Sequence, residues 1–271
     1  MSFSVLMSLY IKEKPEYARA CFESLLNQTV KADEWVIVED GPLTGELYAL
    51  LEEFQNNNPN LIKRVPLQEN KGLGLALQEG ILHCSNELVA RMDTDDICRP
   101  DRFEKQLAEF EKDPDLDICG SHILEFEDNI ENILARRTVP VSHEAIREYQ
   151  KRRDSFNHMT VMFKKSAVLA AGNYQTCMLM EDTYLWVRML QNGAHCVNVN
   201  DTLVYARIGH DMFERRGGYS YYKKYKSGRK RVYETGFISW WDYRYTLLVQ
   251  LTVALMPNKL RGWVFKHLLH R

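Results

Sequence analysis

The sequence lacks paired cysteines, long apolar runs and low-complexity spacers, and each absence removes a class of protein. Six cysteines (Cys21, Cys84, Cys98, Cys119, Cys177, Cys196) are scattered through 271 residues with no CxxC pair and no ligand-like spacing. That argues against a disulfide framework or a zinc site and for reduced thiols in a cytoplasmic compartment. No window holds the roughly 18 uninterrupted apolar residues of a spanning helix. The opening Met1-Ser2-Phe3-Ser4-Val5 lacks the basic-then-apolar layout of a signal peptide. No internal repeat is visible, and no linker before about residue 210.

What is present is a chain with 45% hydrophobic residues, enough to bury a full core as one large domain or a domain with an appendage. Its net charge of −2 hides a division. Residues 211–271 carry 13 Lys+Arg against 4 Asp+Glu, which leaves 22 against 33 for residues 1–210. An acidic body with a basic, aromatic-rich tail suggests a surface-binding appendage. Nucleic acid is a third possible partner for these charges, and the acidic body and the lack of a reader motif argue against it.

Along the chain, Phe3–Leu9 has strand length, and Pro15 opens a helix with Ala18, Cys21, Phe22, Leu25 and Leu26 at three- and four-residue steps. Strand Glu34–Val38 ends in the turn Glu39-Asp40-Gly41-Pro42, followed by a helix over Leu43–Phe54. A strand over Leu61–Leu67, a helix over Gly74–His83 and a short buried strand over Glu87–Met92 complete a β-α-β-α-β-α-β alternation. That is the pattern of an open, largely parallel sheet covered by helices. The second half is less regular. Asp117–Glu127 reads as a strand or hairpin, and Thr160–Phe163 as a strand. Ser142–Gln150, Lys165–Ala171 and Glu181–Gln191 read as helices, and Val197 and Val204 mark two short strands.

Ligands of such sheets bind beyond the carboxyl ends of the strands. Three polar clusters fall there: Ser8-Leu9-Tyr10, Glu39-Asp40 and Asp93-Thr94-Asp95-Asp96. Three neighbouring carboxylates raise one another's pKa unless a cation or donors offset them. Oxygen-rich sites of this kind suit Mg²⁺ or Mn²⁺ completed by phosphate oxygens. The competing reading is a solvated acidic turn capping the next helix. Lys71-Gly72-Leu73-Gly74 precedes a helix, where glycines let a ligand approach the backbone and the helix N-terminus favours anions; a plain strand-to-helix turn is its alternative.

These residues resemble family-2 nucleotide-sugar glycosyltransferases. The likeness lies in Val5–Tyr10, Ser24–Thr29, Trp35–Gly41, Asn70–Gly74, Asp93–Asp96 with Arg99–Arg102, Asn157–Phe163 and Glu181-Asp182, and covers about residues 3–210. Bacterial enzymes that build O-antigen, capsule or exopolysaccharide repeat units are the nearest in pattern. The resemblance implies a GT-A (Rossmann-like) α/β fold, a mixed, largely parallel sheet flanked by helices, with a helical C-terminal appendage. It divides the chain into a catalytic domain at 1–210, with a nucleotide-sugar half at about 1–100 and an acceptor half at about 101–210, and a tail at 211–271.

The resemblance also implies roles. Asp40 would accept the N3–H of a uracil base, with Ser8 and Tyr10 lining the same pocket. Glu39 stands where the family usually has an Asp, and Lys71 and Gly72 are secondary donor contacts. Asp96 is assigned to the metal and Asp95 to the ribose or the metal shell, with Asp93 ligating or supporting. Asp182 is the general base of an inverting displacement, with Glu181 and His158 on the acceptor side. His210 would touch metal or diphosphate, although the local pattern departs from the family's Arg-x-His spacing. Arg215 and Arg216 either clamp a phosphate or form a solvated basic turn.

In the tail, Tyr219–Arg231 reads as a basic, Tyr-rich helix, and Phe237–Met256 is too polar for a span. Leu260–Leu269 alternates basic and apolar residues like an interfacial helix, the alternative being a helical pair folded back on the body. With an undecaprenyl-diphosphate-linked saccharide acceptor, as the resemblance implies, the tail would sit peripherally on the cytoplasmic face of the inner membrane. The expectation is a metal-dependent (Mn²⁺ or Mg²⁺) hexosyltransferase using a UDP-sugar in polysaccharide biosynthesis. A sugar nucleotidyltransferase and a catalytically idle membrane-attached subunit are the alternatives.

Overall fold

The computed structural model describes residues 1–209 and 217–257. Its first half runs β1 (Phe3–Leu9), α1 (Pro15–Leu26), β2 (Glu34–Glu39), α2 (Gly45–Asn57), β3 (Ile62–Pro66), α3 (Leu73–His83) and β4 (Leu88–Arg91). Strands β3, β2, β1 and β4 lie side by side and parallel. Parallel strands joined by helices are covered on both faces, which is why β1 and β4 are buried at nearly every position. Successive β1 residues alternate between two cores. Val5 and Met7 join the cluster that includes Phe22, Trp35, Phe54 and Phe103, while Leu6 faces the cluster that includes Val38, Leu77, Phe163 and Trp186.

The second half continues the sheet with β5 (Ile97–Cys98), α4 (Arg102–Lys112), β6 (Leu116–Phe126), β7 (Ile133–Arg137), α5 (His143–Gln150), β8 (Met162–Lys164), α6 (Lys165–Ala170), α7 (Glu181–Gln191) and β9 (His195–Arg207). The full order is β3-β2-β1-β4-β8-β6-β9-β5, with β7 hairpinned onto β6. The expected mixed, largely parallel sheet flanked by helices is therefore what the chain forms. One local expectation is corrected. Val197 and Val204 lie on a single long strand, β9, because register shifts between Leu116 and Ile123 of β6 let the polar stretch through Asp201 stay in the ladder.

Helices α8 (Gly218–Glu234) and α9 (Trp240–Leu255) follow. They pack on each other, and α8 packs on α7 through Cys177, Met180, Val187, Val232 and Ile238. A capping box between Ser239 and Asp242 fixes the start of α9. No helix among the described residues is long and apolar enough to cross a membrane. All six cysteines are buried and free. The predicted helix at Leu260–Leu269 lies outside the described residues.

Aromatic packing under α1 anchors the first half. The Phe22 ring lies 5.8 Å from Trp35 and 5.2 Å edge-on to Phe54. Phe22→Ala should cost about 3–5 kcal/mol. Chemical denaturation should show it as a lower midpoint with an unchanged slope.

Candidate active site

The register of the sheet assembles the site. Leu9 of β1 is level with Glu39 of β2, and Leu6 is level with Arg91 of β4. Residues two to five beyond Arg91 therefore reach the same rim as Ser8, Tyr10 and Asp40. The Thr94 hydroxyl lies 3.5 Å from the Ser8 carbonyl and donates at 2.8 Å to Glu13, and the Cys21 thiol meets the Asp93 carbonyl. From below, buried Arg102 donates at 2.7 Å to the Arg91 carbonyl and contacts the sulfurs of Met92 and Cys98, pinning the base of the acidic loop.

Carboxylate oxygens of Asp93, Asp95 and Asp96 lie within 4.8 Å of one another. Asp96 is 2% exposed; its Oδ1 accepts the Arg207 backbone N–H at 2.7 Å, while its buried Oδ2 has no partner among the described residues. Burial, then the charges of Asp95 and Asp93, pushes the Asp96 carboxyl well up. Asp95 rises to about 7 through burial, then Asp93 and Glu13. The Arg91 charge and the Arg207 backbone N–H offset part of this crowding. Buried Arg91 is ion-paired to Asp93. Arg207 donates to the Asp95 and Glu127 carbonyls, its guanidinium lying 3.9 Å from the Tyr17 ring centroid and 4.5 Å from that of Phe126. An unpartnered buried carboxylate oxygen beside two further carboxylates fits a hard divalent cation.

Asp40 does different work. Its Oδ1 accepts the Lys71 N–H at 2.7 Å, and its Oδ2 accepts the Gly72 N–H and the Asn70 amide, each at 3.0 Å. The carboxylate thus clamps the loop before α3. Gly41 allows the close approach: at φ +83°, a Cβ there would lie 2.6 Å from the Asn70 nitrogen. Glu39 is buried and ion-paired to Arg64 at 2.5 Å. Ser8 is half-buried, and Tyr10 and Lys71 are exposed at the rim.

Asp182 opens α7 and accepts the Thr183 N–H at 2.7 Å. Burial raises its pKa to about 7, with Asp154 and Glu181 adding to the shift and Arg91 opposing it. Glu181 packs on Gly74 so closely that a Cβ at Gly74 would lie 2.7 Å from the Glu181 Cγ, so the clamped loop and the start of α7 abut. The His158 Nε2 and the Tyr174 hydroxyl are 2.9 Å apart, with His158 edge-on to Trp186. Burial, reinforced by Arg91, holds the His158 imidazole well below its usual pKa, so the ring is neutral at pH 7. The Arg91 charge thus acts on Asp93, Asp95 and Asp96 on one side and on Asp182, His158 and Tyr174 on the other. His210, Arg215 and Arg216 lie outside the described residues.

Sequence reasoning missed Arg207 and Asp154 as members of the site. Nothing local marks either; Arg207 reaches Asp96 across 111 positions through the pairing of β5 with β9. The arginine next to the acidic run, Arg91, was visible on a strand expected to be buried, but its reach to both Asp93 and Asp182 was not.

Residues 4–170 match the family model "Glycosyl transferase family 2". The chain belongs to glycosyltransferase family 2. This family-2 glycosyltransferase is 41% identical to the amylovoran biosynthesis glycosyltransferase AmsE of Erwinia amylovora, over 97% of this chain and 98% of that one. It is 35% identical to the UDP-Gal:alpha-D-GlcNAc-diphosphoundecaprenol beta-1,3-galactosyltransferase of Escherichia coli, over 99% and 97% of the two chains. Among solved structures, its fold is similar to that of the mannosyltransferase PcManGT of Pyrobaculum calidifontis in complex with GDP-Man and Mn²⁺. The TM-score is 0.66 at 14% identity, covering 96% of this chain and 71% of that one. At that identity the likeness shows a shared GT-A glycosyltransferase fold.

The raised Asp95 pKa has a consequence for stability. A carboxyl that titrates near 3.9 unfolded and near 7 folded binds its proton more tightly in the native state. Stability from this group is then lost as pH rises from about 4 to about 7. With divalent cations chelated, Asp95→Asn should melt at least about 2 °C above wild type at pH 8, and the gap should close by pH 4. A gap independent of pH would contradict this.

Proposed function

We propose that this glycosyltransferase moves a hexose from a nucleoside-diphosphate sugar, a UDP-sugar, to a lipid-linked saccharide during bacterial surface polysaccharide synthesis, with inversion at the anomeric carbon. One observation carries the reading: the acidic cluster with its unpartnered Asp96 oxygen and the raised-pKa Asp182 flank a single buried cation, Arg91. Full-length similarity to an enzyme named for a UDP-Gal donor and a diphosphoundecaprenol-linked acceptor supports the substrate classes. An acceptor of that kind would keep the chain at the cytoplasmic face of the inner membrane.

In this reading Asp96 and Asp95 hold Mn²⁺ or Mg²⁺, with Asp93 fixed beside them by Arg91. Such an ion stabilises the charge that grows on a departing diphosphate. Asp40 shapes the nucleotide side by holding Asn70, Lys71 and Gly72 in place, and its Oδ1, with one bond made, keeps a lone pair for a base N–H. Ser8 and Tyr10 line the same rim. Asp182 takes the proton of the acceptor hydroxyl as the new glycosidic bond forms. A pKa of about 7 suits a general base, since half the molecules are then ionised near neutrality. Neutral His158 with Tyr174, and Glu181 at the mouth, face the acceptor side.

Asp182→Asn should lower kcat by about 10²–10⁴-fold while leaving donor KM within about twofold. In wild type the rate should fall about tenfold per unit as pH drops below about 7, because the base becomes protonated. Transfer assays over pH 5.5–9 with a UDP-sugar panel and a synthetic diphospholipid-saccharide acceptor read both; undiminished transfer by Asp182→Asn would remove the assignment.

A further inference from the structure

Helix α9 is apolar on two faces. One face, with Thr246, Leu247, Val253 and Ala254, is buried. The other carries Trp241, Leu248 and Leu255 at seven-residue steps, 74%, 65% and 65% exposed, with exposed Trp240 and Tyr245 beside them. A helix that is apolar all round normally has both sides covered, and a contiguous exposed patch of this kind marks an interaction surface. The capping box at Ser239 and the packing of α9 on α8 fix the face in place.

The charges around the face identify what covers it. The Arg152 guanidinium lies 5.2 Å from the Tyr245 ring, and that of Arg244 lies 5.6 Å from Trp240. The neighbouring helix α8 exposes Lys223, Lys224, Lys226 and Lys230. Asp242 pairs with Arg152 at 2.6 Å and Glu234 with Lys230 at 3.4 Å, so the positive charge of this surface comes from Arg244, Lys223, Lys224 and Lys226. A second copy of the chain docked through this face would bring the same basic surface against itself, because a two-fold interface uses one patch on both subunits. A surface of lipid phosphates has the complementary charge, and Trp and Tyr rings suit the headgroup boundary. At 16 residues, α9 is short of a span and suited to lie along the surface.

We propose that this face of α9 docks the enzyme on an anionic phospholipid surface, with Trp240, Trp241, Tyr245, Leu248 and Leu255 entering the headgroup boundary and Arg244 and the neighbouring lysines meeting lipid phosphate. The assignment rests on the reading of a lipid-linked acceptor, and it names the surface through which the chain reaches that acceptor's membrane.

The test is co-sedimentation of the full chain with phosphatidylcholine vesicles, with and without phosphatidylglycerol. Wild type should bind the phosphatidylglycerol vesicles, and more weakly as salt rises. The Trp241→Glu/Leu248→Glu double variant should bind at least about tenfold more weakly while transferring normally to a short-chain, water-soluble diphospho-saccharide. The single Trp241→Ser and Leu248→Ser variants, which ask less of the fold, should each lose part of the binding. Absent binding by wild type, or equal binding by the variants, would overturn the proposal. So would a wild-type dimer in sedimentation velocity that the double variant dissolves while vesicles capture neither. Vesicle binding that depends on the α9 face, without transfer to any lipid or soluble acceptor, would uphold the surface and overturn the acceptor reading.

Discussion

The site is organised by the repulsion among carboxylates brought to one edge of the sheet. Asp93, Asp95 and Asp96 cannot all be ionised at little cost so close together, and Asp96 keeps an oxygen that nothing among the described residues satisfies. The Arg91 guanidinium answers part of that charge, and the Arg207 backbone N–H donates to Asp96 from the other side. Arg91 comes from the strand that carries the acidic loop, and Arg207 comes from the end of β9. In the proposed reading, what they leave unanswered is answered by a divalent cation, and with it a diphosphate. The same Arg91 reaches Asp182, so the charge state of the cluster and that of Asp182 are not independent.

This coupling depends on topology. The parallel first half lines up the ends of β1, β2 and β4. The antiparallel crossing from β4 to β8 then lets the second half fold α7 back so that Glu181 meets Gly74. In the proposed reading, a nucleotide side built on Asp40 and its clamped loop thereby abuts an acceptor side built on α7. The tail extends the arrangement: α8 is seated on α7, and α9 rides on α8 with its second apolar face outward. The basic, aromatic character of the tail was plain in composition, whereas the face it presents needed the packing.

Much of the first half was legible because its signals are local. Strand-length apolar runs, a proline opening α1 and the glycines around the Lys71 loop each fix structure within a few residues. The rim carboxylates were legible for the same reason, being adjacent to strand ends. The parts that were not legible depend on distant pairing. The two-residue strand β5 has no periodicity to read, yet its pairing with β9 delivers Arg207 to Asp96. The polar stretch from Asn198 to Asp201 reads as a break, yet the ladder of β6 and β9 absorbs it by shifting register. Asp40 illustrates the limit differently. Its place at the rim followed from sequence, but the loop amides that occupy its oxygens come from about 30 positions on.

The central claim is that the acidic cluster is a cation site completed by the donor's phosphates. Mn²⁺ uptake followed by electron paramagnetic resonance, with and without UDP, in wild type and in Asp96→Asn tests it most directly. Wild type should bind Mn²⁺ more tightly when UDP is present, and Asp96→Asn should lose at least about tenfold in that affinity. Equal Mn²⁺ uptake by the two proteins, or uptake indifferent to UDP, would contradict it.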